Sequence, residues 1–151
     1  AIAVLTVAIM GPITMASKGL ASAIFARDQI TAFYLAQDAV EFIRNKRDEN
    51  NIQGDDWLEG LQACLNGSLC MVDVQKNNIE GCPSGECPAV KYNKDTGFYN
   101  YSVDSKDSIF TREIKLTEIN DHEQAIGVTL SWRTGVISKS FTVKEHIFNW
   151  R

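Results

Sequence analysis

The sequence predicts an α+β protein in which one long N-terminal α-helix, an apolar stalk followed by an amphipathic half, packs on a C-terminal antiparallel β-sheet. Residues 15–50 contain no proline and one glycine, Gly19, which favours a continuous helix. Residues from about 108 to 148 alternate apolar and polar side chains with the period of a half-buried strand. The 151 residues, 44% apolar and 23% charged, fit a folded chain with one core. A net charge of −4 leaves no basic excess for nucleic acid, and we expect no such partner.

The stalk, residues 1–17, is uncharged, and its only polar side chains are Thr6, Thr14 and Ser17. A helix that is apolar on all sides has to be surrounded by lipid or by protein. A helix of this length spans about 25 Å, slightly less than the roughly 30 Å hydrocarbon core of a bilayer. The candidate polymerisation residues are the large apolar side chains of the stalk and of the helix that follows it: Ile2, Val4, Leu5, Val7, Ile9, Met10, Ile13, Met15, Leu20 and Ile24.

Gly11 and Pro12 interrupt the stalk. Proline cannot donate a hydrogen bond to the carbonyl of Ala8, and its ring crowds that carbonyl, at a cost of about 3 kcal/mol in a helix interior. Burial of the surrounding side chains, about 1.5–3 kcal/mol each, outweighs this cost. We therefore expect a buried stalk with a break in the helix near residues 8–14 in an assembled form.

The helix of residues 15–50 has two partly apolar faces on a helical wheel. The first includes three alanines, which would let a sheet approach closely: Phe25, Ala32, Ala36, Ala39, Val40 and Ile43. The second has no evident cover within the chain: Leu20, Ile24, Tyr34, Leu35 and Phe42. We expect other molecules to cover the second face and the stalk.

Residues 1–50, AIAVLTVAIMGPITMASKGLASAIFARDQITAFYLAQDAVEFIRNKRDEN, resemble the spine helix of type IV pilins and of the pseudopilins of type II secretion. Gly11 and Pro12 match the site at which pilin spines become non-helical inside the filament. The resemblance implies a non-catalytic subunit that polymerises with identical copies into a helical, extracellular filament on a prokaryotic cell surface. It also implies insertion into the inner membrane before assembly and contact with the pilus assembly machinery.

Further features of that family would precede the first residue of this sequence. Pilins are cut by a leader peptidase, are usually methylated at the new N-terminus, and carry a nearby glutamate that pairs with a neighbouring subunit. The resemblance places these positions about two helical turns upstream of Ala1. No residue of this sequence is therefore assigned to them.

The four cysteines lie in two short segments, Cys64 with Cys70 and Cys82 with Cys87. The Gly, Ser, Asn and Pro residues around them favour two local disulfides, Cys64–Cys70 and Cys82–Cys87, each contributing roughly 2 kcal/mol. A zinc site and free thiols are the alternatives, but zinc sites typically use two Cys-x-x-Cys hooks. Disulfides would indicate an oxidising, extracytoplasmic location.

Two polar motifs in the head, residues 51–151, have structural explanations. Asp55 and Asp56 are expected to cap a short helix, because adjacent carboxylates rarely face one catalytic or cation site. Residues 93–97, NKDTG, begin like a calcium loop, but no bidentate glutamate follows at the right distance. A hairpin turn between residues 90–92 and 98–103 is the preferred interpretation.

The last part of the chain predicts three strands joined by the short turns at residues 120–123 and 133–135, and therefore an antiparallel meander. Its apolar side is expected to pack on the alanine face of the helix. The sheet residues proposed for that contact, opposite Phe25, Ala32, Ala36, Val40 and Ile43, are Ile114, Leu116, Val128, Leu130, Trp132, Phe141 and Val143. Arg112 interrupts the apolar phase, and we expect it at an edge or paired with an acid.

No enzymatic function is predicted, and no cofactor or metal. His122 lies in a turn and His146 on the polar side of a strand, and the sequence has no Gly-rich phosphate loop and no nucleophile with a companion base. Two other functions remain: a monomeric, membrane-anchored, exported binding domain, and a zinc-binding or redox module. The filament subunit is preferred, because contacts between successive copies would cover both the stalk and the second helix face.

Overall fold

The computed structural model describes residues 2–150, with side chains described for residues 14–150. It confirms an N-terminal helix followed by an antiparallel sheet, which has seven strands in the described residues. The elements are α1 (Ile2–Gln53), β1 (Cys70–Asp73), β2 (Asn78–Gly81), β3 (Ala89–Tyr92), β4 (Tyr99–Asn100), β5 (Lys106–Asn120), β6 (Glu123–Thr134) and β7 (Ile137–Phe148). Short 3-10 turns at Gln62–Cys64 and Pro83–Gly85 lie between them.

The chain divides into two compact units, Ala1–Thr31 and Ala32–Arg151. The first is part of α1, and the second contains the rest of α1, both disulfides and the sheet. Helix α1 extends past the predicted end at residue 50 and stops before Gly54, whose φ of +87° lies in the left-handed region typical of the residue after a helix.

The predicted helix break is not tested by the single chain. The backbone of α1 is helical through Gly11 and Pro12. The break near residues 8–14 was expected for the assembled form, in which neighbouring copies surround the stalk. It therefore stays a prediction.

Strand β5 organises the sheet. One edge of β5 pairs with β6, which pairs in turn with β7, and the other edge pairs with β3 and, at the single position Ile114, with β1. Strands β1 and β2 form one hairpin, and β3 and β4 form another. All pairs are antiparallel, so the meander expected over residues 108–148 is present as β5–β6–β7.

The core lies between α1 and the β5–β6 sheet. Ala32, Ala36 and Ala39 are fully buried, and so is Ile43 one turn further along the helix. Successive strands contribute the facing layer, which consists of Ile114, Leu116, Ile126, Val128, Leu130 and Trp132, with Phe141 and Val143 half-buried against it. Small side chains on the helix bring its backbone close to the sheet, so the larger strand residues fill the space between them.

Two expectations for the turns have different outcomes. The helix expected after Asp55 and Asp56 is replaced by turns, because the Asp56 carboxylate accepts a hydrogen bond from the N–H of Leu58 at 2.9 Å and closes a tight local loop. The hairpin turn at residues 93–97 is present between β3 and β4. There the Asn93 side chain accepts hydrogen bonds from the N–H groups of Asp95 and Thr96.

Arg112 is buried between the helix and the sheet, with 3% of its surface exposed. Its guanidinium donates hydrogen bonds to the carbonyl oxygens of Leu35 on α1 at 2.9 Å and of Val72 on β1 at 2.6 Å. Asp38 lies 3.7 Å away, which confirms the expected acidic partner. The Asp38 side chain is half exposed, so the two backbone carbonyls are the stronger anchors. Arg112 therefore connects α1, β5 and β1.

We predict that Arg112→Met lowers the free energy of unfolding by about 2–3 kcal/mol, because it removes two buried, charge-assisted hydrogen bonds. Asp38→Ala is the matched control and should cost less than about 1 kcal/mol, as expected for a partly exposed ion pair. Urea unfolding followed by circular dichroism measures both. Equal losses for the two variants would show that the ion pair, rather than the backbone contacts, holds Arg112.

Both predicted disulfides are formed, Cys64–Cys70 and Cys82–Cys87. They lie side by side, because Cys70 is opposite Gly81 in the β1–β2 ladder and the N–H of Cys82 donates to the carbonyl of Leu69 at 2.9 Å. Cys64 and Cys70 are fully buried in the core, whereas Cys82 and Cys87 are half-buried. All four cysteines are therefore in disulfides, neither free nor arranged as zinc ligands. The two disulfides cross-link a region of short strands.

Reduction of the native chain should release four thiols, seen as a gain of four hydrogens by intact-mass measurement. Replacing Cys82 and Cys87 by serine should cost about 2 kcal/mol through the lost loop constraint. Replacing Cys64 and Cys70 should cost more, because two serine hydroxyls would enter a core position. Denaturant unfolding compares the two double variants, and a larger loss for the half-buried pair would contradict this ranking.

Candidate assembly surface

The unit Ala1–Thr31 leaves large apolar side chains exposed. Met15, Leu20 and Ile30 are 77%, 64% and 57% exposed, and Ile24 is half-buried. Met15, Leu20 and Ile24 are the predicted polymerisation residues whose side chains are described. The others lie outside the described side chains: Ile2, Val4, Leu5, Val7, Ile9, Met10 and Ile13.

Charge is scarce in the same unit. Its charged residues are Lys18, Arg27 and Asp28. Arg27 and Asp28 form an ion pair with a nitrogen–oxygen distance of 2.9 Å, and the Thr31 hydroxyl donates to the carbonyl of Arg27 at 3.0 Å. Because the two opposite charges neutralise each other, association through this unit would depend on apolar burial rather than on ion pairs.

In the unit Ala32–Arg151, the helix also has one covered and one open side. Phe33 and Tyr34 are 49% and 65% exposed, whereas Leu35 is in the core. Phe42 is half-buried against the core. The second apolar face expected from the sequence is therefore divided, because the sheet and the segment after α1 also cover part of it.

Phe25 differs from the rest of the proposed helix–sheet contact. It belongs to the unit Ala1–Thr31, is 37% exposed, and is outside the buried core cluster. The sequence periodicity places it in phase with Ala32, Ala36 and Ile43, but phase alone does not decide which residues of a long helix belong to the core. The fully buried alanines start at Ala32.

A small cavity of about 60 Å³ lies beside β1 and β2, lined by Met71, Asp73, Lys76, Asn78, Glu80 and Tyr101. Its volume corresponds to about two water molecules, which is too small for an organic substrate. The carboxylate of Asp73 accepts hydrogen bonds from the N–H groups of Lys76 at 3.2 Å and Tyr101 at 3.1 Å. Asp73 thus organises the loop that follows β4. Residues 14–150 contain no cluster of three or more His, Cys, Asp or Glu side chains arranged to hold a metal ion.

Burial raises the pKa of the Tyr101 hydroxyl above its ordinary value of 10.0, with a smaller opposite effect from the nearby Arg112 guanidinium. The hydroxyl is buried and has no hydrogen-bond partner of good geometry among the described residues. When the pKa of a phenol is higher in the folded chain than in the unfolded chain, the unfolded chain releases the proton first as pH rises. The free energy of unfolding therefore falls with rising pH. Well below pH 10 both the folded and the unfolded chain keep the phenolic proton, so Tyr101 does not contribute to the pH dependence of the free energy of unfolding there.

We predict that the free energy of unfolding falls as pH rises above about 10, and that Tyr101→Phe removes part of that fall. The same variant should be neutral or slightly stabilising at pH 7, because it deletes a buried hydroxyl without an aligned partner. Urea unfolding at pH 7 and at pH 10.5 measures both effects. Tyr34, which is 65% exposed, supplies the control substitution, Tyr34→Phe. An equal alkaline loss in wild type and in Tyr101→Phe would contradict the assignment.

None of the helices in the described residues has a stretch long and apolar enough to cross a membrane. The side chains of the first thirteen positions, where the sequence is most apolar, lie outside that description. Comparison with protein-family models, curated proteins and solved structures gives no match for this chain.

Proposed function

We propose that this chain is a non-catalytic structural subunit of a type IV pilus-like filament, in which the N-terminal part of α1 packs against the same helix of other copies. The observation that carries the proposal is the exposure of Met15, Leu20 and Ile30 in a unit with three charged residues. Complete burial of each such side chain is worth about 1.5–3 kcal/mol. A surface of this kind favours association over the monomer in water.

Identical copies are the partner that explains this surface most simply. In an open helical assembly each copy makes the same contacts with its neighbours, so one sequence pattern covers the helix of every subunit. The stalk, residues 1–17, continues the same uncharged character toward the N-terminus. An anchor for a monomeric domain would need only the first 20 or so residues to be apolar, whereas apolar exposure continues to Ile30, Phe33 and Tyr34.

The head supports the same proposal by its construction. Fully buried alanines on α1 pack against an antiparallel sheet, which is the arrangement that the pilin resemblance implies. Two disulfides fit a chain that works outside the cytoplasm. Insertion into the inner membrane before assembly, the pilus assembly machinery as a partner, and an extracellular filament as the final location stay predictions from that resemblance.

The test is filament formation by the purified chain, imaged by negative-stain electron microscopy. We predict that wild type forms thin filaments and that Leu20→Lys does not, because the substitution removes an apolar side chain that the filament contact would bury and places a charge there instead. Thr117→Lys adds the same charge at an exposed position on β5 and should assemble normally.

Circular dichroism and denaturant unfolding should be alike for the two variants, which separates assembly from folding. Wild-type material that remains a detergent-solubilised monomer would favour the anchored exported domain instead. Filaments from Leu20→Lys would show that this side chain is not part of the contact.

A further inference from the structure

The outer edge of β7 is open along the whole strand. Residues Ile137–Phe148 pair with β6, and no strand pairs with the other side of β7 in the described chain. The N–H of Asn149 donates to the carbonyl of His122 at 2.9 Å, so in this antiparallel ladder the odd-numbered residues direct their backbone groups toward β6. The even-numbered residues, from Ser138 to Phe148, direct theirs outward. Such an edge is a template for another strand.

The side chains of β7 are arranged symmetrically about Thr142. On the helix-facing side of the strand, Phe141 and Val143 flank this centre. The next pair outward is Lys139 and Glu145, with opposite charges, and the pair beyond it is Ile137 and Ile147. On its helix-facing side this strand matches itself when it is reversed, because each apolar residue there meets an apolar residue and each charge meets the opposite charge.

We propose that β7 pairs antiparallel with β7 of a second copy of this chain, about a two-fold axis at Thr142. In this register the even-numbered residues exchange about ten backbone hydrogen bonds across the new ladder. Lys139 of each copy lies opposite Glu145 of the other, and Phe141 lies opposite Val143. On the other side of the sheet Thr142 meets Thr142, and Ser140 meets Lys144. The two sheets become one.

The registers adjacent to this one are mismatched. A two-fold axis between Phe141 and Thr142 would pair even-numbered with odd-numbered residues. The backbone groups of the odd-numbered residues already point toward β6, so the axis has to pass through a residue. A centre at Phe141 places Lys139 opposite Val143 and Glu145 opposite Ile137. A centre at Val143 places Glu145 opposite Phe141. The charged residues, which generally protect edge strands, therefore select one pairing and disfavour its neighbours.

The side chain of Glu145 is already held near the edge in the single chain. Its carboxylate lies 3.5 Å from a guanidinium nitrogen of Arg44 on α1, and both side chains are partly exposed. Glu145 is therefore oriented before any partner arrives, which reduces the entropy that pairing would cost.

This contact is independent of the proposed filament contact. A two-fold axis reverses the direction of one copy, whereas successive subunits of a polar filament all point the same way. The β7 contact therefore joins unassembled subunits or subunits of two neighbouring filaments. Its failure would leave the filament proposal unaffected, and failure of the filament proposal would leave this contact unaffected.

The register predicts a specific cross-link. All four native cysteines are in disulfides, so Thr142→Cys introduces the single free thiol of the full chain. Because Thr142 faces its own copy across the axis at a Cα separation of about 5.5 Å, mild oxidation in detergent should yield a covalent dimer. The matched control is Ser140→Cys, an exposed residue on the same side of β7, whose two copies would lie about 14 Å apart. Non-reducing gel electrophoresis separates the outcomes. Dimer from Thr142→Cys alone supports the pairing, and equal cross-linking or none in both variants overturns it.

Charge exchange gives a second test that does not depend on a thiol. Lys139→Glu and Glu145→Lys, each alone, should raise the dimer dissociation constant at least about tenfold, because both facing pairs become like-charged. An equimolar mixture of the two variants should restore dimerisation, since every facing pair is then oppositely charged. Sedimentation equilibrium of the full chain in detergent, in a concentration range at which wild type is partly dimeric, measures all three samples. Variants that fold, by circular dichroism, but do not recover in the mixture would refute the proposed register.

Discussion

The close contact between α1 and the sheet is the constraint on which the rest of the structure depends. Ala32, Ala36 and Ala39 on the helix carry side chains no larger than a methyl group, so the strands can approach the helix backbone. Arg112 uses this proximity: its guanidinium reaches the carbonyl of Leu35 on α1 and that of Val72 on β1. A larger side chain at the alanine positions would move the sheet away and leave a buried cation without its acceptors.

The same contact determines which surfaces stay available for other molecules. A sheet can cover only one side of a helix, so Phe33 and Tyr34 remain exposed while Leu35 and Ala36 are buried. The unit Ala1–Thr31 exposes Met15, Leu20 and Ile30. At the far side of the sheet, β7 has one paired edge and one open edge. The open helix side and the open strand edge have different chemistry, one apolar and one rich in backbone donors and acceptors, which is why they are assigned to different contacts.

The region between α1 and β5 is held together by other means. Its strands are short, and turns connect them, so little apolar surface is buried per residue. Two adjacent disulfides, the Asp73 carboxylate that accepts from two backbone N–H groups, and the Arg112 hydrogen bond to Val72 tie it to the core. Covalent and polar contacts thus take the place that a larger hydrophobic layer has under β5 and β6.

Long periodic patterns in the sequence were sufficient for the helix and the three long strands. The two cysteine pairs followed from their short spacing and from the turn-forming residues around them. Strands β1 and β2 were not predicted, since four-residue segments such as Cys70–Asp73 carry too little pattern of their own. The tertiary structure decided that Leu35 belongs to the core and that Phe25 does not, because the set of α1 residues that pack into the core is a property of the whole head. It also decided that Arg112 is bound mainly by backbone carbonyls and that β7 lies at an edge, since both follow from which segments meet in space rather than from their order in the chain.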